Sequence, residues 1–106
     1  MKGMNMNIKT SELQGAALDW AVMKCEGFDM TGSPEFYKVP YSSDWAQGGP
    51  IIERARINIE PFEDIGGKQW CSNGQWESPT PLIAAMRCYV ASKLGDEVDI
   101  PEELIS

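Results

Sequence analysis

Apolar residues recur at three- and four-residue steps in two stretches of this chain. In the first, Leu13, Ala16, Ala17, Trp20 and Met23 fall on one stripe of a helix. Thr10 or Ser11 stands ahead of the stripe as a capping residue, and Ser11 with Gln14 has capping-box spacing. Glu12 lies in the first turn, where the helix dipole favours a negative charge, and Gly27 lies where a C-terminal cap belongs. The pattern predicts a helix over residues 11–26 with Trp20 as a core anchor and Asp19 just off the apolar face. In the second stretch, Leu82, Ile83, Ala85, Met86, Tyr89, Val90 and Leu94 form the apolar face. Thr80 suits the N-cap, Pro81 the first helical position, Lys93 the last turn and Gly95 the stop. That pattern predicts a helix over residues 81–94.

Between them the period shortens to two. Arg56-Ile57-Asn58-Ile59-Glu60 alternates polar and apolar, which predicts a strand ended by Pro61 and followed by a loop from Phe62 to Gly67. Lys68–Ser72 and Gln75–Glu77 flank Asn73-Gly74, the favoured two-residue hairpin turn. Shorter strands are expected at Met6–Lys9, at Phe36–Val39 before Pro40, and at Val98–Ile100, with a loop over residues 28–34 and a turn at Pro101–Leu104. Pro50–Arg54 opens either a strand or a short helical turn. The sum is an α+β fold in a single compact domain over residues 1–106, with two amphipathic helices packed on a small, mainly antiparallel sheet.

One stretch has neither period: Asp44-Trp45-Ala46-Gln47-Gly48-Gly49-Pro50. The simplest reading is a tight turn that packs Trp45 into the core. The glycine pair also gives access to positive φ and removes side-chain bulk, so that a ligand can approach. In that functional reading Trp45 stacks on a base, and Asp44 and Gln47 hydrogen-bond base or ribose edges. The amides of Gly48 and Gly49 hold a phosphate or carbonyl oxygen, and Arg54 and Arg87 neutralise phosphate. The plainer alternatives are a surface ion pair for Arg54 and a solvated helix face for Arg87. Ser42 and Ser43, just upstream, are candidates for backbone capping or for ligand hydrogen bonding. On the ligand reading, Trp45→Ala or Gly48→Arg abolishes binding and leaves the fold intact.

Composition narrows the chemistry. A chain of 106 residues with 42% hydrophobic residues and four tryptophans has material for one small core and is not disordered. Its net charge of −7 disfavours direct binding to nucleic acid or to an anionic membrane. Histidine is absent, and the three cysteines, Cys25, Cys71 and Cys88, form no CxxC pair. A structural zinc site, a disulfide framework and a Ser-His or Cys-His nucleophile are therefore not expected, and a reducing cytoplasm fits best. Carboxylate chemistry on Asp19, Asp44 or Glu53 remains, but solvated or capping acids are the simpler reading. No dinucleotide or Walker-type phosphate loop is present, and no cofactor is expected. The N-terminus lacks the apolar run of a signal peptide, and no stretch is long enough to cross a membrane.

Three stretches taken together, Leu13–Val22, Tyr41–Arg54 and Pro79–Gly95, resemble the NinX-like family of small proteins from tailed phages and prophages of enteric bacteria. Residues 28–40 and 60–78 look like the variable parts of that family. The resemblance implies a phage accessory protein made in the host bacterial cytoplasm. It carries over no catalytic residue. In that setting the expected function is non-enzymatic binding of a small nucleotide-like ligand, which would sequester a host defence signal. The alternative is a protein-binding module that inhibits or modulates a host defence protein, using aromatics such as Trp70 and Trp76 on an acidic surface. A homo-oligomer is expected, because small chains often assemble a pocket at a symmetric interface.

Overall fold

The fold comes from a computed structural model, which describes residues 5–28, 30, 39–65 and 67–105. Strand β1, Asn5–Lys9, pairs antiparallel with β5, Glu97–Pro101, so that Asn5 faces Pro101 and Lys9 faces Glu97. The pairing places Val98 and Ile100 in the core. A single 3-10 turn, Thr10–Glu12, follows β1. The buried Thr10 hydroxyl donates to the Gly95 carbonyl at 2.7 Å, and the Thr10 N–H donates to the Asp96 carbonyl at 2.8 Å. These bonds lock the entry of the first helix to the exit of the last.

Helix α1 spans Gly15–Cys25 and begins later than its apolar stripe implies. Ser11 and Glu12 belong to the 3-10 turn, Gln14 is the N-cap without a side-chain bond, and the expected capping box does not form. The chain is re-aimed at Gly15, whose φ of 58° favours glycine.

The stretch read as an aperiodic turn is instead the start of a helix, α2, over Trp45–Ala55. Asp44 caps it: its carboxylate accepts the Ala46 N–H at 2.9 Å, and its carbonyl accepts those of Gln47 and Gly48. Gly48 and Gly49 are not among the positive-φ residues, and Pro50 sits inside the helix. The proline removes one rung of the ladder, which burial of Ile51 offsets. The helix closes in a Schellman pattern, with Arg56 at φ 55° and the Ile57 N–H reaching back to the Ile52 carbonyl at 3.1 Å.

Strands β2, Ile59–Asp64, β3, Gly67–Ser72, and β4, Trp76–Ser78, form an antiparallel sheet in that order. Pro61 does not end the strand before it. It lies within β2, an edge strand in which a missing N–H is tolerated, and most of the expected Phe62–Gly67 loop is strand. Asn73 and Gly74 take φ of 51° and 74°, as a mirror-image turn requires. Ser72 faces Trp76, however, so three residues rather than two separate β3 from β4. Asn73 also trades hydrogen bonds with Asn58, N–H to carbonyl and N–H to side-chain oxygen, each at 2.9 Å. Its amide donates to the Cys88 sulfur at 3.0 Å, so the turn is pinned to the last helix.

That helix, α3, spans Pro81–Leu94 as the pattern predicts. The Thr80 hydroxyl accepts the Ile83 N–H at 3.2 Å, and Gly95 ends the helix at φ 92°. The fold is α+β. Among the described residues it has three helices rather than two, and its strands divide into a two-stranded and a three-stranded antiparallel sheet rather than one. The core joins Leu18, Ala21 and Val22 of α1 to Ile51 of α2 and to Met86 and Val90 of α3. Trp20 is buried there as expected. The strand expected at Phe36–Val39 and most of the loop over 28–34 lie outside the described residues.

Candidate functional site

Capping and packing fix the first turn of α2. Asp44 holds its N-terminus, and Gly48 lets it seat closely against the segment ahead of it and against α3. A Cβ on Gly48 would lie 2.5 Å from the Tyr41 carbonyl oxygen and 2.7 Å from Leu82 Cδ1. The glycine therefore serves a helix contact. Its N–H donates to the Asp44 carbonyl at 2.9 Å, and that of Gly49 lies within the helical ladder. Neither amide is open to a phosphate. Trp45 is not packed into the core: it stands 53% exposed on this turn, with Gln47 exposed beside it.

The two arginines do not join them. Arg54 lies nine residues along α2 from Trp45, about 14 Å at the helical rise. Its Nη2 donates to the Glu26 carboxylate at 2.6 Å and to the Tyr89 hydroxyl at 3.3 Å, and the Tyr89 hydroxyl donates to the same carboxylate. The cluster ties the end of α1 to α2 and α3. Burial, and then the bond to Glu26, push the Tyr89 phenol up to about 12. Arg87 is half-buried in α3 and clamps two backbone carbonyls, Leu13 through Nε and Glu77 through Nη1, each at 2.7 Å. It is not a solvated helix face, since both bonds tie it to backbone within the chain. Asp44, Trp45 and Gln47 thus lie together with Gly48 and Gly49 at the start of α2, while Arg54 and Arg87 hold their partners away from it.

A concavity lies beside this turn. Gly15, Ala16 and Asp19 of α1, with Pro40, Ser42 and Ser43, line a groove of about 420 Å³. It shares Gly15, Ala16, Ile83 and Leu104 with a second groove of about 590 Å³ that reaches Ile8 and Glu12. Small residues on α1 keep the channel open. The charged side chains among the described residues lining it are Glu12 and Asp19, both acids. Asp19, just off the apolar face, and Ser42 and Ser43, candidates for ligand hydrogen bonding, are the local signals; the rest is brought together by tertiary packing.

Asp19 Oδ1 accepts the Ser42 N–H at 2.8 Å and so positions the segment ahead of α2. Burial raises its pKa, against the lowering effect of the Ser42 bonds. A carboxyl raised in the folded state contributes stability that is complete below its unfolded pKa and is lost as the pH rises through the folded value. Asp19→Asn keeps an acceptor for the Ser42 N–H and removes the charge. It should raise the Tm at pH 7, with the gain fading as the pH falls towards the ordinary aspartate value of 3.8. Asp19→Ala leaves the Ser42 N–H without its acceptor and should destabilise by about 1–2 kcal/mol at either pH. Thermal melts from pH 3 to pH 7 (roughly the window in which a carboxyl titrates) check both, and an Asn variant no more stable than wild type at neutral pH would contradict this account.

Among the described residues no group of histidine, cysteine, aspartate or glutamate side chains is placed to hold a metal ion. Cys25, Cys71 and Cys88 are free, and burial pushes the Cys25 thiol up to about 11, away from thiolate chemistry near neutral pH. No helix among the described residues is long and apolar enough to cross a membrane. The comparison with curated proteins finds no match. The model of the family described as Bacteriophage P22, NinX matches residues 9–93, from the end of β1 almost to the end of α3, and the chain belongs to this NinX-like phage family.

Proposed function

We propose that this phage protein is a non-enzymatic binding module for a host protein, anchored through Trp45. The observation that carries the reading is a tryptophan 53% exposed on a helix whose seat is fixed by the Asp44 cap and the Gly48 contact. Tryptophan is enriched among residues that dominate interface energies, and a rigid platform limits the entropy lost on docking. The arginines that a nucleotide phosphate would need at this turn are engaged with Glu26 and with backbone carbonyls.

Trp45→Ala should leave the Tm within a few degrees of wild type, since the side chain packs little within the chain. It should weaken partner binding by roughly 30-fold or more, the size of a hot-spot loss of about 2 kcal/mol. The check is parallel affinity purification of wild type and variant from infected cells, followed by titration against the purified partner. Equal affinity, or an unfolded variant, would remove Trp45 as the anchor.

The α1 groove favours a second reading, a small nucleotide-like ligand whose sequestration would blunt a host defence signal. Its volume is in the range of small-molecule sites, and Ser42, Ser43 and Asp19 supply polar contacts. With acids as its charged lining, it suits a base or ribose better than a phosphate. Native mass spectrometry with nucleosides and with linear and cyclic nucleotides tests it. A retained mass at fixed stoichiometry supports sequestration, and an unliganded species across the panel removes it. The same spectra test the proposed homo-oligomer.

A further inference from the structure

We infer that the outer part of the β2–β3 hairpin is a docking arm for a basic protein surface, with Ile65 entering an apolar pocket of that partner. The inference deepens the protein-binding reading and rests on it. Strand β4 is only three residues long, and its last pair joins Ser78 to Trp70. Beyond that pair, β2 and β3 continue to the Asp64–Gly67 pair as a two-stranded extension. At its apex Ile65 is 107% exposed. Turns of this length favour glycine, asparagine or aspartate, so turn geometry does not account for an isoleucine there, and neither does burial within the chain.

The arm carries apolar surface on both faces. Trp70, opposite Pro61, shares a face with Ser72 and Trp76, which turn towards the core, while Phe62, opposite Gln69, faces the other way. Both aromatics are half-buried, and they line a shallow groove of about 550 Å³ along the arm.

Charge selects the occupant. Glu63 and Asp64 against Lys68 give the arm a net −1, and Glu60 adds a further acid at its base, within a chain of net −7. A second copy of this chain and a nucleic acid would both meet like charge. A basic protein surface is complementary, and the acids would steer its approach while Ile65 and the aromatics supply contact area.

The experiment places a photo-crosslinking amino acid at position 65 of the full chain, and at Ser92 on α3 as a control, in phage-infected cells. The expected result is a crosslink from position 65, absent from position 92, to a protein whose purified form binds with strong salt dependence. Ile65→Ser and the double variant Glu60→Lys, Glu63→Lys, each checked for an unchanged Tm, should each weaken that binding by about tenfold or more. A crosslink to another copy of this chain, to nucleic acid or to nothing would overturn the inference. Arm variants that bind as wild type, while Trp45→Ala loses the partner, would overturn the arm and leave the binding-module reading standing. Loss in the arm variants with Trp45→Ala unaffected would keep the arm and remove Trp45 as anchor.

Discussion

Gly48→Ala should destabilise the protein by at least about 3 kcal/mol, lowering the Tm by roughly 12 °C or more. Helix propensity alone predicts the opposite sign, since alanine is favoured over glycine by about 1 kcal/mol in a helix interior. Packing decides the sign. A methyl at position 48 meets a backbone carbonyl at 2.5 Å, and that oxygen cannot move without displacing the Tyr41 turn. Gly49→Ala is the internal control: its nearest neighbour is Trp45 Cε3 at 4.0 Å, ordinary contact, so it should stabilise by up to about 1 kcal/mol. Adjacent glycines with opposite responses in urea denaturation identify the close approach of α2 as the cause. Equal responses would contradict it. Gly48→Arg, which a ligand site would tolerate in the fold, should not fold at all.

Arg87→Met should cost about 2–4 kcal/mol, because the variant keeps much of the side-chain bulk and loses two charge-assisted hydrogen bonds. The Leu13 carbonyl matters more than that of Glu77: Leu13 is buried, whereas water can replace the donor at the exposed Glu77 bond. Arg87→Lys should fall between, since a single ammonium does not reproduce the fork that reaches both carbonyls. A methionine variant with the wild-type urea midpoint would show that the clamp contributes nothing.

How far the fold could be read in advance depended on whether its causes were local. Helix α3 was legible to the residue because the Thr80 cap, Pro81, the apolar face and Gly95 all lie within the element they define. Helix α2 was not, because Gly-Gly-Pro reads as a breaker until Tyr41 and Leu82 supply the surface that makes a glycine necessary. Pro61 misled for a similar reason, since the edge position that tolerates it is a property of the sheet and not of the strand. The candidate site was legible in its cap and its tryptophan alone. Arg87 bonds to residues 74 and 10 positions away, and the α1 groove joins Gly15 to Leu104, relations that no local pattern carries.

The pairing of β1 with β5 orders events in time. The Asn7–Asp99 bond spans 92 residues, so the first described strand has no partner until the last one has been made. At about 5–20 residues per second, synthesis leaves β1 waiting for several seconds or more. During that interval the buried face of Val98 and Ile100 is missing from the core, and the emerging chain holds an incomplete interior exposed to chaperones and proteases. Closure of the sheet is then a late step, since a pairing of such high sequence separation must wait for the whole intervening chain.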